Sequence, residues 1–477
     1  MTSKNLLEIA VPRVLLASTH AGSGLSTVTC GLLVALKKKG VSVAMGKIGP
    51  SLIDVTYHRR ISGRLANSLD FWMLSRKDIH NSLGRLCGGA ELVLIEGEKA
   101  LFDYYGEDFC YRNLAEFAMD TKTPIILVMD GAGYRESLGA VVDGFNSFAA
   151  DAKLAGVIVN RVADKEQGEI LKRSVEVLGG VRFIGYLPLG NPALMSASEA
   201  QRENPSILTR SLVMAVGELA EDNVDLGILR ELAATAGSIQ VTAATIHGKT
   251  KNCKIAVADD AAFHLAFQDN IDLIRREGAE IISFSPIADT KLPAGISGIY
   301  LPGGYVHLYA NDLSSNQSLL KEIRSFGKAG GVVFAEGDAV AYLMESIILP
   351  SGGVYEGVGL IRGTATRVIE ESASGFAYCD VESQATTVIG ETGQRFRGIR
   401  NFQWLIRTRD EMPGSFKLRD RNLLLSTKRA EDFSTIEGLS PSPNILATAV
   451  RAHWGSNPKL SEIFVQRAAS YLPHSAQ

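Results

Sequence analysis

Val14-Leu-Leu-Ala-Ser-Thr-His-Ala-Gly-Ser-Gly-Leu-Ser-Thr27 is the stretch on which the reading of this chain turns. Val14 to Ala17 predict a buried strand, Gly22, Ser23 and Gly24 predict a loop, and the residues from Val28 to Lys39 carry helical spacing with a cationic last turn. Strand, glycine loop and helix together form the context in which backbone N–H groups and a helix N-terminus hold a phosphate. Ser26, followed by Thr27, stands where such loops place a hydroxyl on Mg²⁺. The charged member of the pattern is absent: the loop calls for Gly-Lys-Ser/Thr, and the chain has Gly24-Leu25-Ser26. Leu25 cannot neutralise a phosphate. A tight strand-to-helix turn without a ligand also needs glycines, so the loop alone leaves both readings open.

Working outward, the chain has 477 residues, which is more than one ordinary core accommodates and predicts at least two domains. Hydrophobic residues make up 46% and charged residues 21%, the composition of a soluble globular protein. A net charge of −3 gives no general attraction for nucleic acid, so an anionic ligand has to be held by local design. Cys30, Cys87, Cys110, Cys253 and Cys379 are scattered without a Cys-x-x-Cys pair, which predicts neither a zinc site nor a disulfide framework. The first ten residues lack a signal-peptide core. No apolar run reaches the roughly 18 residues of a membrane span. The expectation is a cytoplasmic protein with no membrane partner.

The fold class expected is α/β. Residues 41–46, 91–96, 123–130, 154–160 and 181–187 read as further strands separated by helical patterns, the signature of a parallel sheet covered on both faces. Residues 233–250 are small, polar and aperiodic, and read as a linker. Another strand–helix series begins near residue 252. The organisation expected is a P-loop-type domain over residues 1–221, a linker over 222–251 and another α/β domain over 252–477, each domain with a mainly parallel sheet.

Ligands of parallel sheets bind beyond the carboxyl ends of the strands, and charged residues gather there. Lys47, Asp54 and Glu96 are candidates for a nucleotide site. Asp54 and Glu96 could hold Mg²⁺ with Ser26, because nucleotide-bound Mg²⁺ takes one or two carboxylates and a hydroxyl; either acid could instead cap a neighbouring helix. Glu98, Lys99 and Asp103 line the same edge, as substrate-facing groups or solvated loop charges.

In order along the chain, Lys47-Ile-Gly-Pro-Ser-Leu-Ile-Asp54, Thr56-Tyr-His58, Leu69-Asp-Phe-Trp-Met-Leu74, Glu96-Gly97 with Leu101-Phe-Asp103, and Gly156-Val-Ile-Val-Asn-Arg-Val162 resemble the cobyrinic acid a,c-diamide synthase family. Ala261-Ala-Phe263, Phe284-Ser-Pro286 with Asp289, Gly303-Gly-Tyr305, and His453 with Ser456-Asn-Pro458 resemble the class I glutamine amidotransferase domain of the same family. The resemblance spans roughly residues 13–465. It implies a P-loop amide-synthetase domain followed by an amidotransferase domain, and conversion of tetrapyrrole carboxylates to carboxamides with ATP, Mg²⁺ and glutamine. By resemblance Asp54 and Glu96 belong to the ATP–Mg²⁺ site, His453 is the retained histidine of the glutaminase, and Gly303 and Gly304 form its oxyanion-type loop, with Pro302 in place of a glycine.

Several departures matter. The family pattern Lys-x-Gly-Pro-Asp-Tyr-Ile-Asp is met by Ser51 at its first acid. The family elbow Ala-Glu-Cys-Gly-Gly is met by Ala335-Glu336-Gly337-Asp338-Ala339, so Gly337 occupies the place of the nucleophile. Gly398-Ile-Arg-Asn-Phe-Gln-Trp404 lacks the histidines of the family segment. Glutamine hydrolysis needs an activated thiolate at such an elbow, and none of the five cysteines lies at another elbow in the second half: Cys253 opens a strand and Cys379 ends one. With the loop lysine, an acid and the cysteine all replaced, the expectation is weak or absent ATP use and no glutaminase. A non-catalytic binding or partner subunit is favoured, as a homodimer or with an active homologue, against the alternative of an ammonia-using amide ligase.

Overall fold

The computed structural model describes residues 6–148, 151–189, 210–242, 253–368, 376–401, 403–412, 414–418 and 437–471. They divide into two compact units, residues 1–246 and 247–477.

The first unit is built on a parallel seven-stranded sheet. Its strands are β2 (Arg13–Ser18), β3 (Val43–Lys47), β4 (Ala66–Ser68), β5 (Leu92–Ala100), β6 (Ile125–Asp130), β7 (Leu154–Val162) and β8 (Arg182–Pro188). They lie in the order β4-β3-β5-β2-β6-β7-β8. Val14, Leu15, Leu16 and Ala17 are fully buried, because both faces of the sheet are covered and a continuous apolar run is the pattern such a strand needs. After β2 the chain builds β3, β4 and β5 to one side, then crosses to β6, β7 and β8 on the other. The carboxyl end of β2 is therefore the switch point of the sheet, where a crevice opens. Helix α1 (Leu25–Lys38) leaves from that end with Lys37 and Lys38 in its last turn, where cations suit the helix dipole. Helix α2 (Leu52–Ser62) follows β3, with the Ser51 hydroxyl accepting from the Asp54 N–H as its N-cap.

The expected linker begins too early. Residues 226–233 form a helix that buries Leu229, Leu232 and Ala233. Strand β9 (Ile239–Thr242) pairs antiparallel with β1 (Leu6–Ile9), and Ile239 and Val241 enter the first core. A four-residue strand among small residues carries too little periodicity to be read from sequence. Residues 243–251 of the expected linker lie outside the described residues.

The second unit has a six-stranded sheet in the order β11-β10-β12-β13-β22-β21. These are β10 (Cys253–Ala258), β11 (Ala279–Phe284), β12 (Gly298–Leu301), β13 (Val332–Glu336), β21 (Leu439–Ser442) and β22 (Ile445–Thr448). All pairs are parallel except β21 with β22. The unit is less uniformly parallel than expected. Residues 344–408 add β14 (Met344–Ile348), β15 (Val354–Glu356), β16 (Ile361–Arg367), β17 (Phe376–Ser383), β18 (Arg395–Asn401) and β19 (Trp404–Thr408). With β20 (Phe416–Leu418) and β23 (Val450–Ala452) these make two four-stranded sheets that are largely antiparallel.

Candidate functional site

At the carboxyl end of β2 the loop is set by two contacts. Gly24 has φ +82, and a side chain there would sit 2.0 Å from Asn160 Nδ2. That amide donates to the Ser23 carbonyl at 3.0 Å, while Ser23, itself buried, donates through its hydroxyl to the His20 carbonyl at 2.8 Å. Only glycine combines the left-handed backbone with so close a neighbour. Gly22 is also left-handed, at φ +87, with open space where a side chain would be. Thr27 is half-buried in the first turn of α1.

Below the loop, Ser26, Lys47, Asp54 and Glu96 come together. Lys47 and Glu96 are directly opposed across β3 and β5, which explains why residues so distant in sequence meet. The Lys47 ammonium lies 2.6 Å from Glu96 Oε1 and 3.4 Å from Asp54 Oδ2. Ser26 Oγ donates to the same Glu96 oxygen at 2.7 Å. His58 Nε2, one helical turn beyond Asp54 on α2, is 3.0 Å from Glu96 Oε2. Glu96 is fully buried. Burial works to raise its carboxyl, but the Lys47 ammonium and then His58 outweigh it and hold it well below the usual carboxylate range. Burial likewise works to lower Lys47, and Glu96 and Asp54 reverse it, so the lysine stays charged.

Two carboxylates and a hydroxyl fit Mg²⁺ in kind. Their charge, however, is already met by an ammonium lying between them, so a cation entering there competes with Lys47.

In the second unit, β13 runs into a sharp elbow. Gly337 has φ +60 and its N–H donates to the Thr448 carbonyl at 2.9 Å. Residues 339–343 then form a short helix. The strand–turn–helix form of a nucleophile elbow is present without a nucleophile. A side chain at 337 would meet Arg451 Nε at 2.3 Å, and one at Gly303 would meet the same nitrogen at 2.4 Å. Arg451 thus lies against both the elbow and the Gly303–Gly304 loop. Its guanidinium pairs with Asp338 Oδ2 at 3.2 Å, and the other Asp338 oxygen accepts from Trp404 Nε1 at 3.0 Å. Gly304 packs on the backbone of Ala262, and the Gly303 carbonyl accepts from the Leu265 N–H.

His453 directly follows β23. It is fully buried, with its ring centroid 4.5 Å from that of Phe267, its Nε2 3.8 Å from Asp269 Oδ2, and its Nδ1 accepting from the Gly455 N–H at 3.2 Å. The residue against Gly337 is Arg451, two positions earlier in the chain. Side chains two apart on an extended segment share a face, but Arg451 carries no motif of its own that would single it out. His58 and Asn160 were missed as well; both lie inside recognised segments, and only the contacts with Glu96 and Ser23 reveal what they hold.

Residues 14–201 match the model of the CobQ/CobB/MinD/ParA nucleotide binding domain, and residues 254–391 match that of the CobB/CobQ-like glutamine amidotransferase domain. A cobyrinate a,c-diamide synthase of Leptospira interrogans is 33% identical over 468 residues, covering 96% of this chain and 99% of its own length. That of Listeria innocua is 35% identical, covering 81% of this chain and 85% of its own. That of Thermoplasma volcanium is 30% identical, covering 97% of this chain and 98% of its own.

Proposed function

Because the chain belongs to the cobyrinate a,c-diamide synthase family, we propose that it serves tetrapyrrole amidation as a binding or partner subunit that does not hydrolyse glutamine and uses ATP weakly. The carrying observation is Arg451 against Gly337. Glutaminase chemistry needs a nucleophile and a base beside it. Glycine supplies no nucleophile, and a guanidinium keeps its proton at any accessible pH and cannot act as the base. In the first unit, Leu25 leaves the loop without its phosphate-binding charge, and Lys47 is committed to Glu96 and Asp54. The partner class that fits is a catalytically complete homologue, or a second copy of this chain.

A second reading is favoured by one observation. Ser26, Lys47, Asp54 and Glu96 are assembled around the switch point, which supports an amide ligase that takes free ammonia. The pure protein is incubated with cobyrinate, ATP·Mg²⁺ and either glutamine or ammonium, and amides are detected by mass spectrometry. The first reading predicts no amide with either nitrogen source. Amide formed from ammonium alone replaces it with the ligase reading, and amide formed from glutamine overturns both.

A further inference from the structure

The second unit holds an imbalance of charge that the absence of a nucleophile does not explain. Arg451 is 4% exposed. One of its terminal nitrogens pairs with Asp338, while its Nε is buried with no hydrogen-bond partner among the described residues. Arg367 stands in the same cluster. It is directly opposed to Trp404 across β16 and β19, and its guanidinium lies over that indole at 5.4 Å, the indole that donates to Asp338. One terminal nitrogen of Arg367, Nη1, is also buried without a partner among the described residues, as is His307 Nδ1.

The charges can be counted around this group. Among the described residues, two guanidiniums face one carboxylate, Asp338. The imidazole of His307 adds no negative charge; burial, and then the charge of Arg367, push it down to about 4, so it is neutral near pH 7. Two further carboxyls lie near among the described residues: Glu437, which pairs with Arg400 at 3.2 Å and accepts from the Ala449 N–H at 2.7 Å, and Glu336. Glu336 is committed to the Tyr300 hydroxyl at 2.6 Å and the Ala452 N–H at 3.1 Å, and burial pushes it up to about 7. Among the described residues the surplus is positive. A buried guanidinium left partly unpaired is costly, and breaking or omitting its counter-charge is the expensive case.

We propose that the Arg451–Arg367 cluster at the Gly337 elbow is a binding site for a compact monocarboxylate, which supplies the missing counter-charge and accepts from the unpartnered guanidinium nitrogens. A carboxylate is planar with two acceptor oxygens, and matches the fork of N–H donors of arginine better than a spherical halide does. The Arg451 guanidinium itself fills the space over Gly303 and Gly337, so a ligand that reaches its unpartnered nitrogen has to be small. The proposal rests on the reading that position 337 performs no glutamine chemistry; it replaces a reacting site with a binding one.

The probe is sodium acetate, titrated calorimetrically into the full-length protein in chloride-free buffer at constant ionic strength, with sodium chloride titrated in parallel. Saturable acetate binding is expected, weakened about tenfold or more in both Arg451→Met and Arg367→Met, as loss of a charged hydrogen-bond partner implies. Asp338→Asn keeps both arginines and removes the carboxylate that competes for Arg451, so it is expected to bind acetate more tightly than wild type. This variant decides the matter if the arginine variants fail to fold. No saturable binding in wild type, unchanged affinity in the arginine variants, unchanged or weaker affinity in Asp338→Asn, or chloride binding as tightly as acetate would each overturn the proposal. Glutamate release from glutamine is measured separately: its appearance defeats the reading of the elbow, whatever acetate does.

Discussion

Lys47 balances the site in the first unit. Its ammonium stands between Glu96 and Asp54, and removing one partner of a buried ion pair destabilises by about 3–5 kcal/mol. Lys47→Ala is expected to lose stability of that order in urea unfolding and to recover part of it in millimolar Mg²⁺, since the freed carboxylates can then take the metal. No loss, or a loss that Mg²⁺ does not change, would show that the carboxylates are not positioned for a cation. Leu25→Lys tests the loop: a restored charged contact contributes roughly 1.5–3 kcal/mol, which corresponds to about 10- to 150-fold in ATP affinity. Unchanged affinity would favour the ligand-free turn. At this scale the sequence was informative where residue type carries the chemistry. Ser26, Lys47, Asp54 and Glu96 were each named from it, and they meet. It was silent on Arg451, because nothing in a lone arginine says which glycine it will abut.

Elements bring these residues together through register, and register is where sequence reading ran short. Lys47 and Glu96 are neighbours only because β3 and β5 pair in parallel with that offset. The long apolar strands were legible as continuous runs, whereas Ala66–Ser68 and Leu6–Ile9 were too short to declare themselves. Among the strands of residues 344–408, β16 and β18 are rich in Arg, Thr and Gly and have no apolar run to detect. Two predictions belong here. Gly24→Ala forces a side chain to 2.0 Å from Asn160 Nδ2 at φ +82, so a loss of about 1–3 kcal/mol is expected, with weaker nucleotide binding as Asn160 leaves Ser23. A neutral result in unfolding and binding would remove the loop from the site.

The second concerns Glu336, where β13 ends. Burial raises its carboxyl from 4.5 to about 7. A carboxyl raised on folding stabilises the native state while protonated, so its contribution is complete below pH 4.5 and is lost as pH rises through about 7. Glu336→Gln, which cannot ionise, is expected to flatten the fall in urea midpoint across that window. An equally steep fall in the variant would place its cause elsewhere.

Over the whole molecule, two compact units follow the two domain matches, and family membership was legible because its motifs recur in order through both. The boundary was not, since β9 returns to the first unit after a stretch that reads as linker. Among the described residues no helix is long and apolar enough to cross a membrane. We propose that this family member does not hydrolyse glutamine at the elbow, where Arg451 and Asp338 pair beside a glycine. The most direct measurement is enzymatic detection of glutamate from the pure full-length protein supplied with glutamine, ATP·Mg²⁺ and cobyrinate. Wild type is predicted to release none above the protein-free control, and Gly337→Cys, crowded by Arg451, to release none either. Glutamate released by wild type, at a rate that scales with protein and falls in Arg451→Met, would contradict the claim.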